Sequence, residues 1–281
     1  MKAEYEDSII YLLGIMVAVL PLVHTLGVAI EISPDTTEYY NYVDGLKDGA
    51  IVYVELYTGI RGWFEQGQSD VAVLKHIINK IHAGDVRGVV IGTTSPEGPV
   101  VLPFSLKVMA GANVWDELEY GTQFVWLGWI PGFETAQASM AQDFRGTVPT
   151  DKFGTPIDDL SLLDGITKMG DFDMVIVSLY GGQDAYQRQW TRNPSAGRNY
   201  IFMFDCGISH RTAAMSFYPE QIQAFMTPVR QTSEYEKLLG YKGLATSLTE
   251  AQLALQFFGI GLIIVATGIY WYRRLSGGEA R

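Results

Sequence analysis

The sequence predicts an α/β fold, an open, doubly wound and mostly parallel sheet of about five strands, flanked by one transmembrane helix at each terminus. Three observations carry this. Near-continuous apolar runs of strand length recur along the middle of the chain. Segments with helical spacing fall between them. The longest uncharged stretches sit near the two ends of the 281 residues.

The N-terminal stretch from Ser8 to Ile30 (SIIYLLGIMVAVLPLVHTLGVAI) carries no Asp, Glu, Lys or Arg. At about 1.5 Å per residue, a helix of that length spans a hydrocarbon core. The basic leader of a signal peptide is missing, since Lys2 is followed by Glu4, Glu6 and Asp7, and the run is long for one. It therefore reads as a retained anchor over 8–30, kinked at Pro21. His24, its one histidine, lies near the end of the run, where an interface or a neighbouring helix is within reach.

Five strands are expected at Ala50–Tyr57, Val86–Gly92, Thr122–Trp129, Asp173–Tyr180 and Asn199–Cys206, as apolar runs suited to burial on both faces of a parallel sheet. The clearest helix is Ser69–Ala83, with Ser69 as N-cap, Val71, Leu74, Ile77, Ile78 and Ile81 on one face, and Gly84 as its stop. Further helices are expected near 103–113, 133–145, 159–169, 183–192, 218–227 and 232–239. The segment 146–158, rich in Gly, Pro and Asp, reads as a loop covering one end of the sheet. The soluble α/β domain then occupies 35–250.

The second span, 253–272, ends in Tyr270, Trp271 and Tyr272 followed by Arg273 and Arg274, an aromatic belt and a cytoplasmic border. Residues 31–46 hold no Lys or Arg and carry Glu31, Asp35, Glu38 and Asp44. Both flanks favour a two-pass protein of the cell membrane, with termini cytoplasmic and the central domain extracytoplasmic. Ala254, Gly259, Gly261, Ala266 and Gly268 allow close helix approach, so the expected partners are other membrane subunits, or further copies of the chain, packed through these helices within the bilayer.

A net charge of −11 with no basic run argues against nucleic acid and against docking on anionic lipid. The single cysteine, Cys206, excludes an internal disulfide and a Cys-based metal centre within one chain. In a doubly wound sheet ligands sit at the carboxyl ends of the strands. The loops there are TGIRGWFEQGQS, TTSPEGP, GGQDAY and DCGISHR. They supply Arg61, Thr93, Gly181, Gly182 and Asp184 as candidate ligand-binding residues, and Asp205, Cys206 and His210 as candidate catalytic residues. G-G-x-D lacks the dinucleotide fingerprint, and neither G-x-x-x-x-G-K-[ST] nor G-x-S-x-G occurs, so no cofactor is expected. Gly181 and Gly182 read first as a tight helix entry, and Cys206 as a buried, inert thiol at a strand end.

Glu55, Asp205, Glu97 and Asp184 are carboxylates that a divalent ion would draw together, but no metal site is assigned. Glu55, a charge inside VYVELY, requires a partner, either Arg61 or a backbone group. His76 and His82 are six residues apart, share no helix face, and read as solvent-side residues. Trp63, Phe64, Trp129 and Phe133 read as exposed-type aromatics suited to an interface, and core packing explains them about as well.

The stretch Glu234–Arg274, EYEKLLGYKGLATSLTEAQLALQFFGIGLIIVATGIYWYRR, resembles the tail of an uncharacterised prokaryotic family of membrane-anchored proteins with a Rossmann-like domain between two transmembrane helices. The similarity extends to VYVELYTG, to the S-D-x-A-V-x-K-H segment Ser69–His76 and to FDMVI. It implies the two-anchor layout and no activity.

Three functions follow. The favoured one is a non-catalytic subunit of a membrane assembly. The second is a sensor or transport accessory that binds a small ligand. The third is a membrane-tethered hydrolase or transferase.

Overall fold

The structure is a computed structural model, and it describes residues 2–24, 26–110, 117–181, 183–197 and 200–276. The chain forms two units, Glu31–Gly243, and Met1–Ile30 with Leu244–Arg281.

The unit Glu31–Gly243 is built on six parallel strands in the order β3-β2-β1-β4-β5-β6. They are β1 (Ala50–Tyr57), β2 (Val86–Thr93), β3 (Phe124–Trp129), β4 (Met174–Leu179), β5 (Ile201–Cys206) and β6 (Ala224–Met226). The period of two along each strand divides the core into two layers. Val52, Val54, Ile176 and Met203 face α2 (Pro34–Asp44), α3 (Trp63–Ala83), α4 (Gly98–Ala110) and α9 (Arg230–Leu238). Tyr53, Val177, Phe202 and Phe204 face α5 (Glu134–Gln142), α6 (Phe144–Thr147), α7 (Gln183–Tyr186) and α8 (Arg211–Met215). Helices on both faces of a parallel sheet make the fold doubly wound, as its sequence predicts.

Several boundaries differ from expectation, each for a local reason. The sixth strand lies inside the expected helix 218–227, where Pro219 and Pro228 bracket a three-residue apolar run that pairs with Met203–Asp205. The expected helix 159–169 is broken into single 3₁₀ turns, Ile157–Asp159, Ser161–Leu163 and Met169–Asp171, because Gly165 takes a positive φ and the chain turns to bury Leu162 and Leu163. Helix α3 starts at Trp63, so Ser69 is an interior residue whose hydroxyl bonds back to Gln66 O, while Gly84 stops the helix in the left-handed region as expected. Asp143 separates α5 from α6 by capping the Gly146 N–H. Part of two predicted elements, residues 111–113 and Asn199, lies outside the described residues. The loop 146–158 runs along the outer edge of β3, where Lys152 N–H donates to Trp126 O at 2.9 Å.

In the other unit, α10 (Leu244–Leu275) has 32 residues and is long and apolar enough to cross a membrane. Helix α1 (Lys2–Val23) packs on it, with Gly14 against the Phe258 ring. The apolar part of α1 is Ser8–Val23, shorter than the expected 8–30. Pro21 withdraws a backbone donor close to the helix end, and the following N–H groups find another acceptor. Leu26, Gly27 and Val28 donate to the buried Glu250 carboxylate at 2.6, 2.8 and 3.0 Å.

Candidate functional site at the strand ends

The strand order reverses between β1 and β4. β1 leads to α3 on one face and β4 to α7 on the other, and this divergence opens a crevice at the carboxyl ends in folds of this topology. Here the loops tie themselves together. Glu97 of the β2 loop accepts from the Ile60 N–H of the β1 loop at 2.6 Å. Glu65, in the first turn of α3, accepts from the Ile208 N–H of the β5 loop at 2.9 Å. The Tyr180 ring sits between Gly62 and Gly207, where a Cβ on either glycine would come within 3.1 Å of it. Tyr180 also meets His210 edge-on, with ring centroids 6.2 Å apart.

The outside of these loops is apolar. Phe64 is 72% exposed and Ile208 66%, and Ile60, Val100, Phe104 and Trp129, in the strand-end loops, the first two turns of α4 and the end of β3, are exposed too. Phe64 and Trp129 are thus exposed as the sequence suggests. Trp63 is not, because its indole N–H donates to Ser105 in the interior at 2.8 Å, and Phe133 is half-buried.

Beneath the loops lie two polar clusters, one on each face of the sheet. On the α7 face, Glu55 is wholly buried and accepts four hydrogen bonds: Thr94 N–H at 2.7 Å, Thr94 Oγ1 at 2.7 Å, Tyr53 Oη at 2.8 Å and Tyr186 Oη at 2.9 Å. Burial raises its pKa, and these donors oppose the rise. The backbone partner foreseen for Glu55 is the Thr94 amide; Arg61 is exposed and is not among its partners.

On the α3 face, Asp70 and Asp205 are buried among Thr58, Gln66, Ser69 and Ser178. Ser178 donates to Asp70, and Thr58 and Ser178 hydroxyls lie 3.1 Å apart. Ser69 and Gln66 bond to Asp205. Desolvation pushes the Asp70 carboxyl up to about 7 and raises Asp205 well above the carboxylate range, with Asp70 itself adding to the rise at Asp205.

The candidate residues do not assemble as one site. Asp205 and Cys206 are neighbours on β5 and point to opposite faces, Asp205 into the polar nest and Cys206 into the apolar core. His210 follows in the loop, beside Gly181, its Nδ1 2.9 Å from Ser209 Oγ. Thr93 is buried and donates to Leu56 O at 2.6 Å, a bond that holds β2 to β1. Arg61 and Asp184 are exposed, and Gly182 lies outside the described residues. The four carboxylates do not converge: Glu55 and Asp205 lie on opposite faces, Glu97 holds Ile60, and Asp184 is at the surface. Among the described residues no group of three or more His, Cys, Asp or Glu side chains is placed to hold a metal ion.

His76 overturns its solvent-side reading. It is buried, with Nδ1 2.7 Å from Tyr235 Oη, Nε2 3.5 Å from Asp44, and its ring stacked on Tyr40. Packing of α2 and α9 onto α3 covers the face that helical spacing leaves polar; His82 remains exposed.

Comparison with protein-family models, curated proteins and solved structures finds no match to this chain.

Proposed function

We propose that this protein is a non-catalytic subunit of a membrane assembly, anchored through α10, whose doubly wound domain offers its strand-end rim to another protein. The observation that carries the reading is the state of that rim. Where this topology keeps an open polar crevice, the loops are bound to one another by Glu97 and Glu65 and turn Phe64, Ile208, Val100 and Ile60 outward. Exposed apolar groups clustered beside glycines and a histidine suit a protein interface better than a small polar ligand. Helix α10 supports it as well. A Cβ on Gly259, Gly261 or Gly268 would meet nothing within 4 Å, leaving room for a partner helix.

In this reading α1 and the extended residues after it form the second crossing. The Arg273–Arg274 border and the acidic segment 31–46 favour both termini in the cytoplasm and the domain outside. Extraction from native membranes in a gentle detergent, followed by native mass determination, tests the assembly. A stoichiometric complex is expected, and Phe64→Ser combined with Ile208→Ser should release this chain from it. A lone monomer from wild-type membranes would reject the reading.

A further inference from the structure

Ser178 and Asp205 are cross-strand neighbours on β4 and β5, and both face α3. Ser178 Oγ donates to Asp70 of α3 and accepts at 3.3 Å from the Gln66 amide, which with Ser69 also bonds to Asp205. The two carboxyls therefore flank one serine and belong to one hydrogen-bonded network, wholly or almost wholly buried. Among the described residues neither has an ion-pair partner. The other titratable groups around them bring no positive charge. Tyr39 of α2 and Tyr235 of α9 feel the charge of Asp205 and are kept neutral by burial, and Cys206 lies in the opposite layer. His76, bonded to Tyr235, has its pKa lowered by burial, so above the ordinary histidine range it is neutral too.

Two carboxylates in one buried network without a cation do not both stay ionised, since each charge raises the cost of the other. One proton relieves this, and each carboxyl has an oxygen without a partner to take it, Asp70 Oδ2 and Asp205 Oδ1. The same network fastens the start of α3 to the sheet. Gln66, Ser69 and Asp70 lie in its opening turns, which also carry the exposed Phe64 of the rim and Glu65, the acceptor of the Ile208 N–H. We propose that Asp70 and Asp205 share a proton that acts as a latch: while it is bound, the start of α3 stays fastened to β4 and β5, and when it leaves, the two charges loosen that part of the helix and the rim with it. Nothing in this latch depends on what docks at the rim. Burial raises both carboxyls above their unfolded-chain values, so the folded protein keeps a proton that the unfolded chain has released. The stabilisation is present below the ordinary carboxylate range and is lost as pH rises through the folded value, about 7 at Asp70.

The test uses the full chain in detergent. Asparagine in place of either aspartate keeps a hydrogen in the network that pH does not remove. From about pH 5 to 8, one such proton lowers the wild-type folding constant by up to about tenfold per pH unit, and the decline should be shallower by about one proton in Asp70→Asn and in Asp205→Asn. Hydrogen exchange in a peptide spanning 63–70, corrected for the intrinsic rate, should be about tenfold or more faster at about pH 9 than at about pH 6 in wild type, and should not change in Asp70→Asn. Infrared spectra of Glu55→Gln protein, which lacks the carboxyl of the other cluster, should show the carbonyl stretch of a protonated carboxylic acid at about pH 6 that fades by about pH 9. Adding Asp70→Asn should lower the pH at which it fades by about one unit or more. Should the asparagine variants fail to fold, wild-type exchange and the Glu55→Gln spectra decide. The proposal is overturned if wild-type exchange over 63–70 is the same at both pH values, if no such band fades in Glu55→Gln protein, or if the asparagine variants decline with pH as steeply as wild type.

Discussion

Replacing Glu55 with leucine removes the acceptor of four buried donors. The Thr94 hydroxyl has a second acceptor in Tyr186 Oη at 3.0 Å, so one of the four recovers. Three remain, the Thr94 amide and two tyrosine hydroxyls, each costing about 1–3 kcal/mol when left unsatisfied in the interior. The wild-type carboxylate carries an opposing desolvation cost, which leucine abolishes. The expected net loss is about 3–5 kcal/mol, a large part of the stability of an ordinary domain. Glu55→Gln keeps an acceptor for Thr94 and should lose less than about 2 kcal/mol. The glutamine also isolates the charge. Burial holds the Glu55 pKa above its ordinary value, so the folded protein binds this proton to a higher pH than the unfolded chain does. Its stabilising contribution is present below the ordinary value and is lost as pH rises through the folded one. Thermal unfolding of the full chain, followed by tryptophan fluorescence from pH 4 to 8, should therefore show this decline in wild type and a flatter profile in Glu55→Gln. A Glu55→Leu protein within about 1 kcal/mol of wild type would refute the claim that this carboxylate organises the strand ends.

Three other perturbations follow from the same accounting of buried groups. Tyr235→Phe strips His76 Nδ1 of its partner and should cost about 1–3 kcal/mol by thermal unfolding. His76 itself has its pKa lowered by burial, so the unfolded chain takes up its proton first as pH falls. Stability should drop on acidification below the ordinary histidine value, and His76→Phe should blunt that drop in the same assay. At Gly170 an added Cβ would lie 2.1 Å from Ala196 O and 2.4 Å from Gly197 O, both backbone atoms, so Gly170→Ala should destabilise by about 1–3 kcal/mol and lower the unfolding midpoint. Glu250→Ala frees the N–H groups of Leu26, Gly27 and Val28, and hydrogen exchange in a peptide spanning them should accelerate by about tenfold or more.

Much of the frame was legible because its strands are long and buried on both faces. AIVYVELY and DMVIVSLY carry neither Gly nor Pro and read as central parallel strands, which β1 and β4 are. β6 was hidden because three residues between prolines carry no period, and only the pairing with β5 makes them a strand. The site was less legible than the fold. Glu55 stood out as a charge inside an apolar run, but two of its partners, Thr94 and Tyr186, come from distant parts of the chain, the loop after β2 and the end of α7. Asp70 and Ser178 passed as ordinary polar positions. A signal for the nest does exist in α3. The stripe Gln66, Asp70, Val73, Ile77, Ile81 keeps one helical face throughout, yet changes from polar to apolar after its first two turns. A stripe that packs on a sheet and is polar only at the strand-end side marks buried polar chemistry.

The two clusters beneath the strand ends also serve as controls for each other. Both hold wholly or almost wholly buried carboxylates near the strand ends, Glu55 on β1, Asp205 on β5 and Asp70 on α3, and both lack an arginine or lysine partner among the described residues. Burial alone therefore does not distinguish them. Hydrogen supply does. Glu55 receives four donors across its two oxygens and has no open acceptor, so its cluster is complete as built and a further ligand would have to displace a tyrosine or Thr94. The Asp70–Asp205 nest shares four donor side chains, Ser178, Thr58, Ser69 and Gln66, between two carboxyls, and three of its oxygens have no partner. Unpartnered buried atoms occur on both faces, at Gln137 and Gln187 on the side of Glu55 as well as at Asp70 and Asp205, so it is the pair of carboxyls, and not the unmet atoms as such, that sets the α3 face apart.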